Sequence, residues 1–135
     1  YKAAESVEVT AVSVYRNCMD YSSSYSFHLE KNESVWRFSF DAAIDRSGDH
    51  TKVEKQWIEE NAAEEILRIV KKQQLVTRVK QYEAPPDDGI LALDETTYWT
   101  SLEFADGSSI YAPIDAGTEL IDAFYYLARG NFYQR

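Results

Sequence analysis

The chain has 135 residues, of which 44% are hydrophobic and 27% charged, the composition of one folded domain with its own core rather than of a disordered segment. Fourteen Lys and Arg face 23 Asp and Glu, a formal charge of −9, which repels a phosphate backbone and excludes nucleic acid as a partner. No apolar run is long enough to cross a bilayer, and a single cysteine, Cys18, rules out an intramolecular disulfide or a Cys-rich zinc site.

The first strand is expected over Ser6–Tyr15. Val7 and Val9 alternate with polar residues, and Val12 and Val14 do so in the opposite phase. A side-chain period of two cannot change phase without an extra residue, so a bulge is expected near Thr10–Ala11. Arg16–Ser23 then reads as a polar connection.

Ser24–Lys31 and Ser34–Ile44 read as two paired strands. Tyr25, Phe27 and Leu29 share one face of the first, and Trp36, Phe38, Phe40, Ala42 and Ile44 share one face of the second. A two-residue turn at Asn32-Glu33 sets Leu29 opposite Trp36, Phe27 opposite Phe38 and Tyr25 opposite Phe40. A slip of one residue would turn either aromatic set to the wrong face, so this pairing is expected to be fixed by the pattern. In that register His28 lies opposite Arg37. Asp45–His50 forms a turn, and Thr51–Ile58, marked by Val53 and Trp57, is an optional fourth strand of the sheet.

The period then becomes helical. Asn61 as N-cap and Glu64 three residues on make a capping box, and Ala62, Ile66, Ile69, Val70 and Gln73 form a stripe. Acids lead and bases trail, as the helix dipole prefers. Arg68, Lys71, Lys72, Arg78 and Lys80 are a solvated face, not a nucleic-acid patch. Leu75, Val76, Val79 and Tyr82 suggest a second short helix or a bent continuation, ended by Ala84-Pro85-Pro86. Ile90–Leu93 reads as a short strand and Thr96–Phe104 as a longer one. A three-residue turn with Gly107 left-handed matches Leu102 with Ile110 and Thr100 with Ala112, whereas an Asp106-Gly107 turn would set Ile110 against Glu103; the first is chosen. The last helix runs from about Asp115–Thr118 to Arg129, buries Leu120, Ile121, Phe124, Leu127 and Ala128, and stops at Gly130. The fold class is thus α+β: an antiparallel sheet of about five strands with two main helices on one face, order βββ(β)α-ββα, in a single domain over 1–135.

Two stretches carry a resemblance. Arg16-Asn-Cys-Met-Asp-Tyr-Ser-Ser-Ser-Tyr-Ser-Phe-His-Leu-Glu-Lys31 and Leu93-Asp-Glu-Thr-Thr-Tyr-Trp-Thr-Ser-Leu-Glu-Phe-Ala-Asp-Gly-Ser108 resemble a small uncharacterised bacterial domain family, found free-standing or attached to lipoproteins in gut Gram-positive bacteria. The resemblance implies a bacterial protein and favours an extracytoplasmic place over a cytoplasmic one. It carries over no activity and no catalytic residue. The first residue is Tyr1, so a trimmed chain, a processed product or an excised domain is expected, with any leader or anchor upstream out of view.

Several side chains are candidates for chemistry. Cys18 would need a base, and the histidines are His28 and His50; Cys18 as a small half-buried hydrophobe is the preferred reading over a Cys18–His28 dyad. The serines lack a nucleophile elbow, and the adjacent carboxylates lack a sugar cleft. Asp41, Asp45, Asp49 and His50 surround a turn without calcium-loop spacing, and no metal is assigned to them. No phosphate loop or dinucleotide fingerprint is present, and no cofactor is expected. Aromatic residues make up 14% of the chain, with 10 Tyr, 6 Phe and 3 Trp. Trp99 lies on the strand face opposite Tyr98 and Leu102. Tyr125 and Tyr126 are consecutive on a helix, so at least one sits at the edge of its apolar stripe. Trp99, Tyr125 and Tyr126 are therefore the expected ligand-binding residues of a non-enzymatic binding or interaction module for an unknown protein or small ligand. A competing place for Trp99 is beneath Phe132 and Tyr133 of the C-terminal tail. Two other functions stand beside the module: an acidic immunity-type protein that neutralises a basic toxin, and a small thiol or hydrolase enzyme.

Overall fold

Alternation of apolar and polar side chains produces six strands: β1 (Val9–Asn17), β2 (Tyr25–Asn32), β3 (Val35–Ala42), β4 (Thr51–Ile58), β5 (Thr97–Phe104) and β6 (Ser109–Ala112). The structure, a computed structural model, describes residues 8–84 and 96–130. The strands form one antiparallel sheet in the order β4-β3-β2-β1-β5-β6. The α+β class is as expected, with six strands rather than five because Thr51–Ile58 does join the sheet. Helices α1 (Glu60–Lys72), α2 (Leu75–Lys80) and α3 (Thr118–Ala128) complete the architecture. The expected strand Ile90–Leu93, the Pro-rich loop and the C-terminal tail lie outside the described residues.

One face of the sheet is sealed. Val12, Val14, Phe27, Leu29, Phe38, Phe40 and Leu102 point to the same side and join the helical stripe of Ile66, Ile69, Leu120 and Phe124 in one core. Phe124 of α3 stacks between strands, its ring centroid 5.3 Å from Phe27 and 5.8 Å from Phe38. Such aromatic packing adds to the burial that drives the two layers together. Thr100 is the polar member of this face; its hydroxyl donates to the Ile114 carbonyl at 2.7 Å, so its burial leaves no unpaired donor.

The expected bulge in β1 is present, with the β1–β5 register slipping between Val9 and Ala11. The β5–β6 register is also as expected, with Leu102 opposite Ile110, Thr100 opposite Ala112 and Gly107 at φ +89°. The β2–β3 register differs. Leu29 lies opposite Phe38, Phe27 opposite Phe40 and Tyr25 opposite Ala42. The turn is Glu33-Ser34, with φ of +53° and +71°, rather than Asn32-Glu33. A two-residue shift leaves every side chain on its face, so the hydrophobic pattern that forbids a one-residue slip does not separate these registers. His28 is consequently opposite Ser39, not Arg37, and Arg37 faces Glu30.

Two further expectations are corrected. Helix α1 begins at Glu60 with Glu59 in the cap position and no side-chain cap hydrogen bond, so the Asn61–Glu64 capping box does not form. Its start is instead one short step after β4, with Ala62 and Ala63 both buried against the core. In β4, Lys55 has φ +54° and the pairing with β3 slips between Phe38 and Phe40. This bulge separates Val53, packed against the core, from Trp57, which is 40% exposed beside Arg37.

Candidate functional site

The same period of two that buries one face sends the intervening residues to the other. Ser13 and Tyr15 of β1, Ser26, His28 and Glu30 of β2, Arg37, Ser39 and Asp41 of β3, Trp99, Ser101 and Glu103 of β5, and Tyr111 of β6 occupy this outer face. The helical stripes are spent on the inner core, and these side chains are exposed or half-buried.

The outer face has two unlike halves. On β1, β5 and β6 it is aromatic. Tyr15 is paired across the ladder with Trp99, and Tyr111, paired with Ser101, is a diagonal neighbour of Trp99. The rings of Trp99 and Tyr111 stack with centroids 5.0 Å apart and planes at 26°. Tyr15, Trp99 and Tyr111 remain 43%, 40% and 62% exposed. Glu103 is the charged residue of this half, beside Ser109 at the end next to the β5–β6 turn.

Toward β2, β3 and β4 the face is polar apart from Trp57 of β4, which lies opposite Arg37 and is 40% exposed. Ser26, His28, Ser39, Asp41, Lys52, Glu54 and Lys55 line a shallow depression of about 400 Å³. At its margin the Ser13 hydroxyl is hydrogen-bonded to His28 Nδ1, and His28 Nε2 donates to Glu30 at 2.7 Å. A hydroxyl, imidazole and carboxylate in line are the parts of a nucleophilic relay. Strand β1, however, is paired on both sides by β2 and β5. Its backbone N–H groups are committed to the ladders, so Ser13 is not accompanied by the donors that an acyl-transfer intermediate needs. This arrangement fixes the orientation of His28 on the surface.

At the far end of the depression His50 bridges two segments. Its Nδ1 donates to Asp41 at 2.6 Å, its Nε2 donates to the Tyr21 carbonyl at 2.7 Å, and its ring stacks on Tyr21 at 3.7 Å and 11°. A carboxylate and a carbonyl are both acceptors, so both ring nitrogens must carry protons and His50 is an imidazolium in this geometry. Burial opposes that charge, but the hydrogen bond to Asp41, the Tyr21 carbonyl and the Asp41 charge together hold its pKa above the ordinary value of 6.5. Asp45 is used differently: its carboxylate accepts from the Ser47 hydroxyl and backbone, which lowers its pKa. Among the described residues no three His, Cys, Asp or Glu side chains are grouped to hold a metal ion.

Cys18 is half-buried, and its thiol donates to the Asp20 carbonyl at 3.2 Å. His28 is bonded to Ser13 and Glu30, and His50 to Asp41 and Tyr21, so neither imidazole is hydrogen-bonded to Cys18.

The three residues expected to bind ligand fall on two sides of the sheet. Trp99 is outward, as its strand parity required. Tyr125, on α3, packs edge-on against Phe27 at 5.0 Å, and burial raises its pKa. Tyr126 is 48% exposed and, with Ala62, Glu65, Ile66, Ala123 and Leu127, lines a cleft of about 220 Å³ between α1 and α3. Consecutive helical residues diverge by roughly 100°, which is why the two tyrosines part. The companions of Trp99 are instead Tyr15 and Tyr111. The signal for them was present: if Val12, Val14, Ile110 and Ala112 face inward, their odd-numbered neighbours face out. Comparison of the chain with protein-family models, curated proteins and solved structures finds no match.

Proposed function

We propose that this chain is a non-enzymatic binding module whose contact surface is the outer sheet face centred on Trp99, with Tyr15 and Tyr111 beside it. The observation that supports this reading is the gathering of three exposed rings on three adjacent strands of a domain whose core is already filled by other aromatics. Rings held at fixed positions by a sheet lose little freedom on binding, and their burial supplies the kind of anchor that dominates interfaces, commonly about 2 kcal/mol or more per residue. The alternative of an acidic neutralising protein draws on the charge of −9 but names no surface. A thiol or hydrolase enzyme has the weaker support, given the partners of Cys18 and Ser13 described above.

The reading separates rings that serve a partner from rings that serve the fold. Replacing both Trp99 and Tyr111 by Ala removes two exposed cross-strand contacts, the Trp99–Tyr111 stack and the pairing of Trp99 with Tyr15, so chemical denaturation should show a loss of about 2 kcal/mol or less. A loss well beyond about 2 kcal/mol would mark the pair as structural, and the proposed surface would be wrong.

A further inference from the structure

The charge pattern around these rings indicates what they receive. Three aromatic residues elsewhere in the chain already carry a cation: Arg16 lies 5.8 Å from the Tyr98 ring centroid, Lys31 5.9 Å from Trp36 and Arg129 5.3 Å from Tyr125. Among the described residues no Arg or Lys lies over Tyr15, Trp99 or Tyr111. The cations of the outer face, Arg37, Lys52 and Lys55, are on β3 and β4, and the aromatic half on β1, β5 and β6 has none. Its charges are acidic. Glu103 is diagonal to Tyr111 across the β5–β6 ladder, and Asp106 sits in the following turn; Glu8 adjoins that turn through the hydrogen bond from Ala105 N–H to its carbonyl at 2.8 Å, but its carboxylate is taken by Lys31 at 3.3 Å. The whole chain, at −9, adds a field of the same sign.

We propose that the occupant of the Tyr15–Trp99–Tyr111 surface is an Arg- or Lys-bearing segment of a basic protein. One guanidinium or ammonium group packs on the exposed rings, and a neighbouring one pairs with Glu103. The electron-rich ring faces attract a cation, and an interface that excludes water strengthens the attraction. The remote acids raise the rate of encounter more than they add to final affinity. This inference rests on the binding-module reading and specifies the partner of that same surface.

The test uses the full chain and a short soluble peptide in which Arg alternates with Gly and Ser. Its controls are the same peptide with Glu in place of Arg, and a neutral cello-oligosaccharide. Titration is followed calorimetrically and by amide NMR shifts, at low and high salt. The Arg peptide should bind, shift the outer residues of β1, β5 and β6, and weaken as salt rises. Trp99→Ala should lower its affinity by roughly threefold to thirtyfold, the range of one cation–π contact. Glu103→Gln should weaken it at low salt more than at high salt. Glu64→Gln, an equal change of charge on exposed α1, should weaken it less than Glu103→Gln. Equal effects of Glu64→Gln and Glu103→Gln, with none from Trp99→Ala, would mean diffuse charge attraction and overturn the inference. Failure of the Arg peptide to bind would overturn it as well. If the oligosaccharide binds instead and Trp99→Ala abolishes that binding, the cationic partner is wrong and the contact surface stands. If the Arg peptide shifts only the helices, both are wrong.

Discussion

His50 ties the segment after β1 to the β3–β4 connection, and its two hydrogen bonds require a proton that pH can remove. The perturbation is therefore a rise in pH, with His50→Gln as the reference. The groups around the ring are the Asp41 carboxylate of β3 and the Tyr21 carbonyl and ring, with Lys52 opposite Asp41 on β4; Asp45, in the preceding turn, is bonded to Ser47. The His50 side chain is 9% exposed and that of Asp41 40% exposed, so one partner is largely covered and the other is screened by solvent. A buried hydrogen bond to a charged group contributes about 1.5–3 kcal/mol; with half the pair in water, about 1 kcal/mol is the reasonable scale. Because the folded pKa is raised, the contribution is fully present below the unfolded value near 6.5 and is lost as pH rises through the folded value. Urea denaturation of both proteins between about pH 5 and pH 9 should show the advantage of the native chain over His50→Gln shrinking by about 1 kcal/mol toward the alkaline end. NMR titration of the His50 ring should give a midpoint above that of an unfolded control, and Asp41→Asn should lower it. An advantage that is flat or grows with pH, or a midpoint below the control, would refute the doubly protonated bridge.

Two further perturbations probe the sealed layer. Phe27 is wholly buried among Phe38, Phe124 and Tyr125, so Phe27→Ala should cost about 3–5 kcal/mol in chemical denaturation; a cost under about 1 kcal/mol would place this ring outside the core. Thr100→Val keeps the volume but removes the donor to the Ile114 carbonyl, and should cost about 1–3 kcal/mol; a stabilised variant would show that this carbonyl finds another donor.

Some of this architecture was legible from residue order because a wrong choice would have carried an immediate physical cost. The β5–β6 turn is the clearest instance: one candidate register set Ile110 against Glu103 and the other matched apolar with apolar, and only the second occurs. The phase break between Val9 and Val12 likewise required an extra residue in β1. The β2–β3 turn carried no such penalty, since a shift of two keeps Phe27 and Phe38 inward in either register. Glu33 and Ser34 then adopt positive φ without the Gly or Asn that would have announced them. The bulge at Lys55 was hidden for the converse reason: Val53 and Trp57, four apart, have the same parity, and no residue between them marks a break. At the candidate site, parity alone sent Trp99 outward, and the same parity applied to β1 and β6 yields Tyr15 and Tyr111. The placement of Tyr125 against Phe27 depended on the rotation of α3 over the sheet, which local pattern does not determine. The Asp41–His50–Tyr21 bridge joins residues from three segments and leaves no mark in the spacing of any one of them.

An open sheet face lies opposite a sealed one, and the three tryptophans sample both. Trp36 is 4% exposed on the inner side, while Trp99 and Trp57 are each 40% exposed. Acrylamide quenching of single-tryptophan variants, with the other two changed to Phe, reads this contrast without any ligand. Trp99 should be quenched several-fold more efficiently than Trp36, at a rate close to that of Trp57. Protection of Trp99 equal to that of Trp36 would show that this face is covered and would contradict its assignment as a contact surface.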